Sequence, residues 1–358
     1  MIQDLSKKNK WLPAVTFMLL VLAVFLNLGI YPLYLEEPRR ALIALEMLFN
    51  DNLWVPTEFG EYYYKKPPLF NWVIIAGYKA FGNYSEFAVR FFSVISYLLM
   101  GVFCFAAGRK YVNHTFGVYA ALLFYVCSDL IFYFTVTSGE IDLFYSFITY
   151  LGFLSVFYFY EKGNYWLLFC MSYFLAAVGT LTKGLPSGVF QGISILTVFI
   201  FHKNFKGLFR WSHLAGISIY LLLIGGYVWI YSQYNDPINY LMAKDSIVSQ
   251  SMERTPMENG FFKVLSHLFL FPLELLKILA PGSVLLILFF SKRSRNAIKE
   301  NKYIFFCFVL FLTNIWVYWI SPGSASRYLY MMFPLAITFI LYPLFRDQNH
   351  RLIRIIEI

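Results

Sequence analysis

Long apolar runs separated by short polar segments dominate the pattern of the chain. A helix needs about 20 mostly apolar residues to cross the hydrocarbon core of a bilayer. Ten segments meet or approach this length: 11–33, 87–108, 114–136, 141–160, 165–182, 186–201, 213–232, 268–290, 303–320 and 328–345. The pattern predicts an all-α, polytopic membrane protein with about ten transmembrane helices. We expect one transmembrane domain over residues 1–358, without a soluble C-terminal domain.

Two of the predicted loops are long, at residues 34–86 and 233–265. Long ordered loops usually carry function, so the chemistry is expected there. Within the first loop, residues 69–81 are apolar but too few to span a bilayer, which favours an interfacial helix. The second loop mixes charged and apolar residues, and it either covers a site or forms a passive outer cap.

The distribution of charge predicts the orientation of the spans. Only 14% of the residues are charged, against about 25% in soluble domains, and the formal net charge is +9. If the N-terminus lies inside, the inside segments hold most of the 29 Lys and Arg residues but few of the 20 acidic ones, which satisfies the positive-inside rule. Both termini are therefore expected in the cytoplasm and both long loops outside. Topology thus explains the basic balance, and nucleic acid is not expected as a partner.

Cysteine and histidine give no sign of a metal site. All four cysteines lie in apolar runs and none forms a C-x-x-C pair, so we interpret them as small hydrophobic fillers. The five histidines are scattered without the spacing of metal ligands. We therefore expect no metal site and no required cofactor, and a divalent metal has no support in the sequence.

Two acidic residues, Glu36 and Glu37, begin the first long loop, directly before Pro38. Proline suits the first position of a helix, and the helix predicted from it carries one mostly polar face: Arg39, Ile43, Glu46 and Asn50. This predicts an amphipathic helix on the outer membrane surface. The helix dipole favours ionised Glu36 and Glu37, as a general base requires. The alternative is that both residues only cap the helix and solvate the loop.

A second cluster of the same loop is Lys65-Lys66-Pro67-Pro68. Proline biases the preceding residue towards extended geometry, so Lys66 is expected outside any helix, just before the interfacial segment. Lysine binds phosphate as a point charge; the alternative is nonspecific attraction to anionic headgroups. Tyr63, in the preceding tyrosine run, either lines a sugar or belongs to the aromatic belt at the membrane interface.

Three further charged residues lie at the predicted outer ends of spans. Asp142 begins the fourth predicted span, Lys183 lies at the turn between the fifth and sixth, and Arg327 opens the tenth. Charges at such depths tend to be functional. The alternatives are a solvated loop end for Asp142 and snorkelling of the two long cationic side chains.

These residues belong to a set of short blocks that occur in one order along most of the chain. The blocks are Glu36-Glu37-x-Arg39, Asn52-x-Trp54-x-Pro56, Tyr63-x-x-Lys66-Pro67-Pro68-Leu69, Phe81-Gly82, Asp142, Leu181-Thr182-Lys183-Gly184 and Arg327-Tyr328-x-Tyr330-x-x-x-Pro334. The set resembles the lipid-dependent glycosyltransferases of the GT-C class. More closely, it is similar to the bacterial aminoarabinose transferase and protein O-mannosyltransferase superfamily, which implies a GT-C-like fold.

The chain departs from that superfamily at two positions of the first loop and in its length. The superfamily usually has Asp where Glu36 stands, and often Glu where Lys65 stands, which leaves an acidic or metal role at Lys65 without support. Its members often carry more helices and a soluble external C-terminal domain. This chain is therefore expected to be a short member or a fragment.

The resemblance implies a membrane glycosyltransferase of the bacterial inner membrane. It would move a sugar from a polyprenyl-phosphate donor, with inversion, to lipid A, another glycolipid, a glycan or a protein on the periplasmic face. Glu36 would act as general base or orient the acceptor, assisted by Glu37 and Asp142. The expected substrate-binding residues are Arg39, Tyr63, Lys66, Lys183 and Arg327. The alternative is a transporter or flippase of lipid-linked sugars, although the predicted spans carry few charges near their centres and show no internal repeat.

Overall fold

The computed structural model describes residues 11–132, 136–243, 246–253 and 260–346, and this part of the chain is almost entirely helical. Its α-helices are α1 Leu12–Leu26, α2 Glu37–Phe49, α3 Leu69–Phe81, α4 Glu86–Tyr111, α5 His114–Tyr125, α6 Ser128–Phe132, α7 Ile141–Glu161, α8 Tyr165–Lys183, α9 Pro186–Phe201, α10 Trp211–Tyr231, α11 Pro237–Met242, α12 Ile247–Glu253, α13 Phe261–Ile278, α14 Lys292–Glu300, α15 Lys302–Trp319 and α16 Phe333–Arg346. The 3₁₀ segments are Phe205–Phe209, Gly282–Phe290 and Ser326–Met332. An antiparallel hairpin joins β1 Thr57–Glu58 to β2 Glu61–Tyr62.

Seven helices of the described residues are long and apolar enough to cross a membrane: Glu86–Tyr111, His114–Phe132, Ile141–Glu161, Tyr165–Lys183, Trp211–Tyr231, Lys302–Trp319 and Ser326–Arg346. This confirms the predicted all-α, multi-pass architecture. The predicted segment 268–290 is helical but bends by 116° between α13 and the segment Gly282–Phe290. Helices α1 and α9 are shorter, so the count of about ten spans stays a prediction. The termini predicted in the cytoplasm lie outside the described residues, as do 244–245 and 254–259 of the second long loop.

Side-chain caps explain where several of these helices begin. The side chains of Ser85, Asn113 and Asn164 accept hydrogen bonds from backbone N–H groups in the first turns of α4, α5 and α8. Such caps satisfy donors that a helix start leaves without a partner. Helix α3 ends at Gly82, whose φ of 66° lies in the left-handed region that glycine adopts at low cost. Polar residues thus divide apolar sequence into separate helices.

Close backbone contact joins α4 to α5. A Cβ atom added to Gly108 would lie 2.8 Å from the Cα of Gly117, so only glycine permits this approach. Small residues allow such packing between helices within a membrane, where hydrophobic attraction between helices is weak. Helix α16 runs through the middle of the bundle, with nearly all its apolar residues buried, whereas α10 lies at the periphery.

Helix α2 packs on α3 through its buried apolar residues. Ile43 and Met47 of α2 are buried in one cluster with Phe70 and Ile74 of α3. This corrects one expectation, because Ile43 is buried against α3 and is not part of an exposed polar face. The sequence pattern missed this because the covering residues come from other elements. The position of α2 on the outer membrane surface stays a prediction. The packing places the start of α2 beside the starts of α4 and α7.

Candidate active site

A cavity of 270 Å³ lies where the first long loop meets the helix bundle. Its lining comes from the start of α2, the segment before α3, the start of α7, the end of α8, helix α12 and the segment Ser326–Met332. The lining residues are Glu36, Arg39, Arg40, Tyr63, Lys65, Lys66, Glu140, Ile141, Asp142, Lys183, Gln250, Glu253, Arg327 and Tyr328. Every predicted site residue except Glu37 is in this set. Residues far apart in sequence therefore form one site.

Glu36 and Arg39 form an ion pair at the mouth of the cavity. Arg39 Nη1 donates to Glu36 Oε2 over 2.6 Å, and Arg39 Nε donates to Glu58 Oε1 of the hairpin over 2.8 Å. Glu36 occupies the N-cap position of α2, but its side chain makes no capping hydrogen bond. Its side chain remains about one-third exposed at 37%. The arrangement favours a site role for Glu36 over the alternative of helix capping.

Glu37 lies behind the cavity in a buried ion pair. Arg90 Nη2 and Nε each donate to its carboxylate over 2.8 Å, and the backbone N–H groups of Tyr34 and Gly139 donate to it as well. The same arginine donates to backbone carbonyls in the segment after α1: Leu28, Tyr31 and Pro32. Glu37 thus joins three segments around the site. These contacts favour a positioning role, and a direct part in the chemistry stays a prediction.

Two carboxylates and two cationic side chains meet at the floor of the cavity. Lys183 donates to Asp142 Oδ1, and both side chains are buried. Arg327 Nε lies 3.6 Å from Asp142 Oδ2, and Arg327 Nη1 lies 4.0 Å from Glu140 Oε1. The Lys183 ammonium also lies 4.0 Å from the ring centroid of Tyr328. Lys183 therefore does not snorkel towards solvent, and Asp142 is not a solvated loop end.

The second long loop contributes helix α12 to the cavity wall. Lys66 Nζ donates to Gln250 Oε1 over 2.9 Å, and Glu253 lines the cavity beside it. On the facing wall, Arg40 Nη1 donates to the hydroxyl of Tyr63 over 3.0 Å. The described part of this loop therefore covers the site, which was one of the two interpretations of its sequence.

The sequence analysis missed Arg40, Glu140 and Gln250 among the lining residues. Glu140 lies two residues before Asp142, and Arg40 follows Arg39, so proximity was the available signal for both. For Gln250 the sequence offered none. Burial raises the pKa of Glu140 to about 7, and the neighbouring Asp142 carboxylate adds to the rise, while Arg327 and Arg40 act against it. The charge of Glu140 therefore changes near neutral pH.

The balance of charge in the cavity suits an anion. Its basic lining residues are Arg39, Arg40, Lys65, Lys66, Lys183 and Arg327, and its acidic ones are Glu36, Glu140, Asp142 and Glu253. Three buried atoms of these side chains have no hydrogen-bond partner among the described residues: Arg40 Nε, Arg327 Nε and Glu140 Oε1. Two of these atoms are donors and one is an acceptor, so an anion that also carries hydroxyl or amino groups would satisfy all three.

Metal ligands do not gather in the described part of the chain. It contains no group of three or more His, Cys, Asp or Glu residues that could hold a metal ion. The lining carboxylates are instead interleaved with cations. The expectation that no cofactor is required stays a prediction.

The described residues form a multi-pass helical bundle with a charged cavity between its long loops. A sequence model of the family described as dolichyl-phosphate-mannose-protein mannosyltransferase matches residues 65–230. The crystal structure of ArnT from Cupriavidus metallidurans bound to undecaprenyl phosphate superposes with a TM-score of 0.73 at 19% sequence identity, covering 97% of this chain and 63% of that one. This match establishes the shared fold.

Two curated relatives extend the comparison. Undecaprenyl phosphate-alpha-4-amino-4-deoxy-L-arabinose arabinosyl transferase 1 of Proteus mirabilis is 26% identical over 265 residues, covering 69% of this chain and 46% of that protein. An uncharacterized protein of Aquifex aeolicus is 29% identical over 215 residues, covering 59% of this chain and 41% of its own length. The chain therefore spans less than half the length of these relatives. Together the comparisons confirm the resemblance to the GT-C aminoarabinose transferase and protein O-mannosyltransferase superfamily.

Proposed function

We propose that the protein is a membrane glycosyltransferase that moves a sugar from a polyprenyl-phosphate donor to a hydroxyl group of a cell-envelope acceptor. The observation that carries the proposal is the cavity, in which Lys66, Lys183 and Arg327 surround one space together with Glu36 and Asp142. A solved structure of the same fold is bound to undecaprenyl phosphate, which supports a lipid phosphate as the ligand. The acceptor class comprises lipid A, other glycolipids, glycans and proteins.

The proposed reaction is a direct displacement at the anomeric carbon. The acceptor oxygen forms the new bond to that carbon, the bond from the carbon to the phosphate oxygen breaks, and the polyprenyl phosphate leaves with the electron pair. Glu36 orients the acceptor hydroxyl or takes its proton. The surrounding cations stabilise the charge that develops on the leaving phosphate, which is usually the largest contribution in such sites. Displacement from the opposite face gives inversion, and the proposal requires no metal or other cofactor.

We also propose that the cavity faces the periplasm from the inner membrane of a bacterium. Asp142 lies in the first turn of α7 at the cavity, and Glu161 ends the same helix in an ion pair with Lys302, 3.6 Å apart. A helix of 21 residues is about 32 Å long, which is the thickness of a bilayer core. Basic residues concentrate near the far end, in the described segments 109–110, 162 and 292–302. The positive-inside rule therefore supports a cytoplasmic position for that end.

The proposal is tested with purified protein in lipid nanodiscs. The assay supplies synthetic undecaprenyl phosphate sugars, radiolabelled in the sugar, together with envelope glycolipids, and it separates products by chromatography. Transfer of label to an acceptor, with release of undecaprenyl phosphate, is the expected result. A flippase would move the labelled lipid across proteoliposomes while the bond between sugar and phosphate stays intact, and that result would contradict the proposal. Deletion of the gene, followed by mass spectrometry of envelope glycolipids and glycoproteins, identifies the natural acceptor.

A further inference from the structure

Glu140 is the buried carboxylate of the cavity to which the proposed reaction assigns no part. Its side chain is only 6% exposed, it lines the cavity, and its Oε1 atom has no hydrogen-bond partner. The backbone carbonyl of Glu140 accepts a hydrogen bond from Ser93 Oγ over 2.9 Å, so helix α4 fixes the position of the residue. A buried carboxylate oxygen without a partner is costly, which points to a ligand group that donates to it.

Other carboxylates around the site already have close cationic partners. Asp142 is bound by Lys183, Glu36 by Arg39 and Glu37 by Arg90. The nearest cationic atom recorded for Glu140 is Arg327 Nη1 at 4.0 Å, which is beyond hydrogen-bonding distance. Glu140 therefore keeps one acceptor available for a substrate while its neighbours serve in ion pairs.

Arg327 lies beside Glu140 and is suited to bind the phosphate of the donor. Its Nε atom is also buried without a hydrogen-bond partner, so a phosphate oxygen suits it as an acceptor. In a polyprenyl phosphate sugar, the phosphate is bonded directly to the anomeric carbon. Another oxygen of the same phosphate carries the polyprenyl chain, which is apolar and cannot donate a hydrogen bond. Beside a phosphate bound at Arg327, the polar substituents of the sugar ring therefore suit the position of the Glu140 carboxylate, and the polyprenyl chain does not.

We propose that Glu140 is a sugar-recognition residue, whose carboxylate accepts a hydrogen bond from a hydroxyl or amino substituent on the sugar ring of the donor. The inference rests on the proposed function and adds a contact that separates the glycosylated donor from the bare lipid phosphate. Hydrogen bonds to a charged group are stronger than those between neutral groups. Glu140 thus favours binding of the loaded donor over rebinding of the polyprenyl phosphate product.

The ionisation of Glu140 gives this contact a dependence on pH. Burial raises the pKa of its carboxyl to about 7; Asp142 and Glu36 raise it further, and Arg327 and Arg40 lower it. Lys183 faces the same corner through its bond to Asp142. Because the pKa is raised, the accepting carboxylate form is present above about pH 7 and is lost as the pH falls through that value. For the wild type, kcat/KM should therefore fall below about pH 7, and in Glu140→Gln this inflection should disappear.

The test compares two classes of ligand, bare and sugar-linked lipid phosphates, and two variants. Binding of undecaprenyl phosphate, and of undecaprenyl phosphate mannose and arabinose, is measured for the wild type, Glu140→Gln and Glu140→Met in nanodiscs. We expect both variants to bind the sugar-linked lipids more weakly, by roughly tenfold or more, and to bind the bare lipid phosphate like the wild type. Lys66→Ala is the matched control from the same cavity, and it should weaken binding of both classes of ligand.

A series of donors in which each ring hydroxyl is replaced in turn by hydrogen then locates the contact. Removing the hydroxyl that Glu140 binds should weaken binding to the wild type but cause no further loss in Glu140→Gln. Equal binding of sugar-linked lipids by the wild type and Glu140→Gln, or equal weakening for both ligand classes, would overturn the inference. If the wild type binds and transfers the sugar while Glu140→Gln behaves normally, only the inference fails. If the wild type neither binds nor transfers any of these lipids, the proposed function fails and the inference with it.

Discussion

Arg90 Nη2 lies 2.8 Å from Glu37 Oε2, and both side chains are almost completely buried. The pair joins α4 to the start of α2, across 53 residues of sequence. Because Glu37 also accepts a hydrogen bond from the backbone of Gly139, it connects the first long loop to the segment that carries Glu140 and Asp142. One ion pair therefore holds the acidic residues of two loops in register around the cavity.

Breaking this pair should destabilise the protein. Replacing Arg90 by Met leaves the Glu37 carboxylate buried without its cation, and removing one partner of a buried pair costs about 3–5 kcal/mol. We expect a clear drop in the thermal unfolding temperature in detergent. The matched control is Glu300→Gln, which breaks the exposed pair with Arg346 at 2.7 Å, where little change is expected. Equal, small effects at both sites would argue against the structural role of Glu37.

The orientation is tested by labelling single cysteines in intact cells. Glu61 in the hairpin and Asn296 in α14 are both exposed, and they lie in predicted outer and inner segments. Glu61→Cys should react with an impermeant thiol reagent, whereas Asn296→Cys should react only after permeabilisation. The wild type, whose four cysteines are buried or partly buried, serves as the blank. The opposite pattern would place the cavity in the cytoplasm.

Two adjacent lysines allow a sharp test of the phosphate site. Both Lys65 and Lys66 line the cavity, but the sequence gives pre-proline geometry to Lys66, and Gln250 fixes the position of its ammonium group. Lys66→Ala should therefore raise the KM for the lipid donor by roughly tenfold or more, and Lys65→Ala by less. Steady-state kinetics with a synthetic donor makes the comparison. The same loss at both positions would indicate general attraction to anionic headgroups.

How far the sequence predicted the fold depends on whether a feature is local. The length of an apolar run is a local property, so segments such as 87–108 and 141–160 were located within a few residues of α4 and α7. The bend of 116° after Ile278 and the burial of Ile43 depend on packing between distant elements. Neither could be derived from the pattern of apolar residues alone.

In the candidate site, too, the sequence predicted the local features but not the contacts between distant residues. Glu36 and Lys66 stand in short blocks with recognisable chemistry, and both line the cavity. The partner of Lys66 is Gln250, which lies 184 residues further along the chain, so no local signal links the two. Glu140 stands close to Asp142 in the sequence, but no local pattern assigned it a role in the site, because its raised pKa arises from burial in the folded chain.

The most direct test of the account is the turnover of Glu36→Gln with a defined undecaprenyl phosphate sugar and an envelope acceptor. The substitution keeps the size of the side chain and removes its charge, so the loss of a positioned acid–base group should lower kcat by about 10²–10⁴-fold. Glu36→Asp should retain part of the activity, and Glu61→Gln, on the same loop but outside the cavity lining, is the matched control with near-normal turnover. A Glu36→Gln protein that folds, inserts and turns over at nearly the wild-type rate would contradict the assignment and make Asp142 the next residue to test.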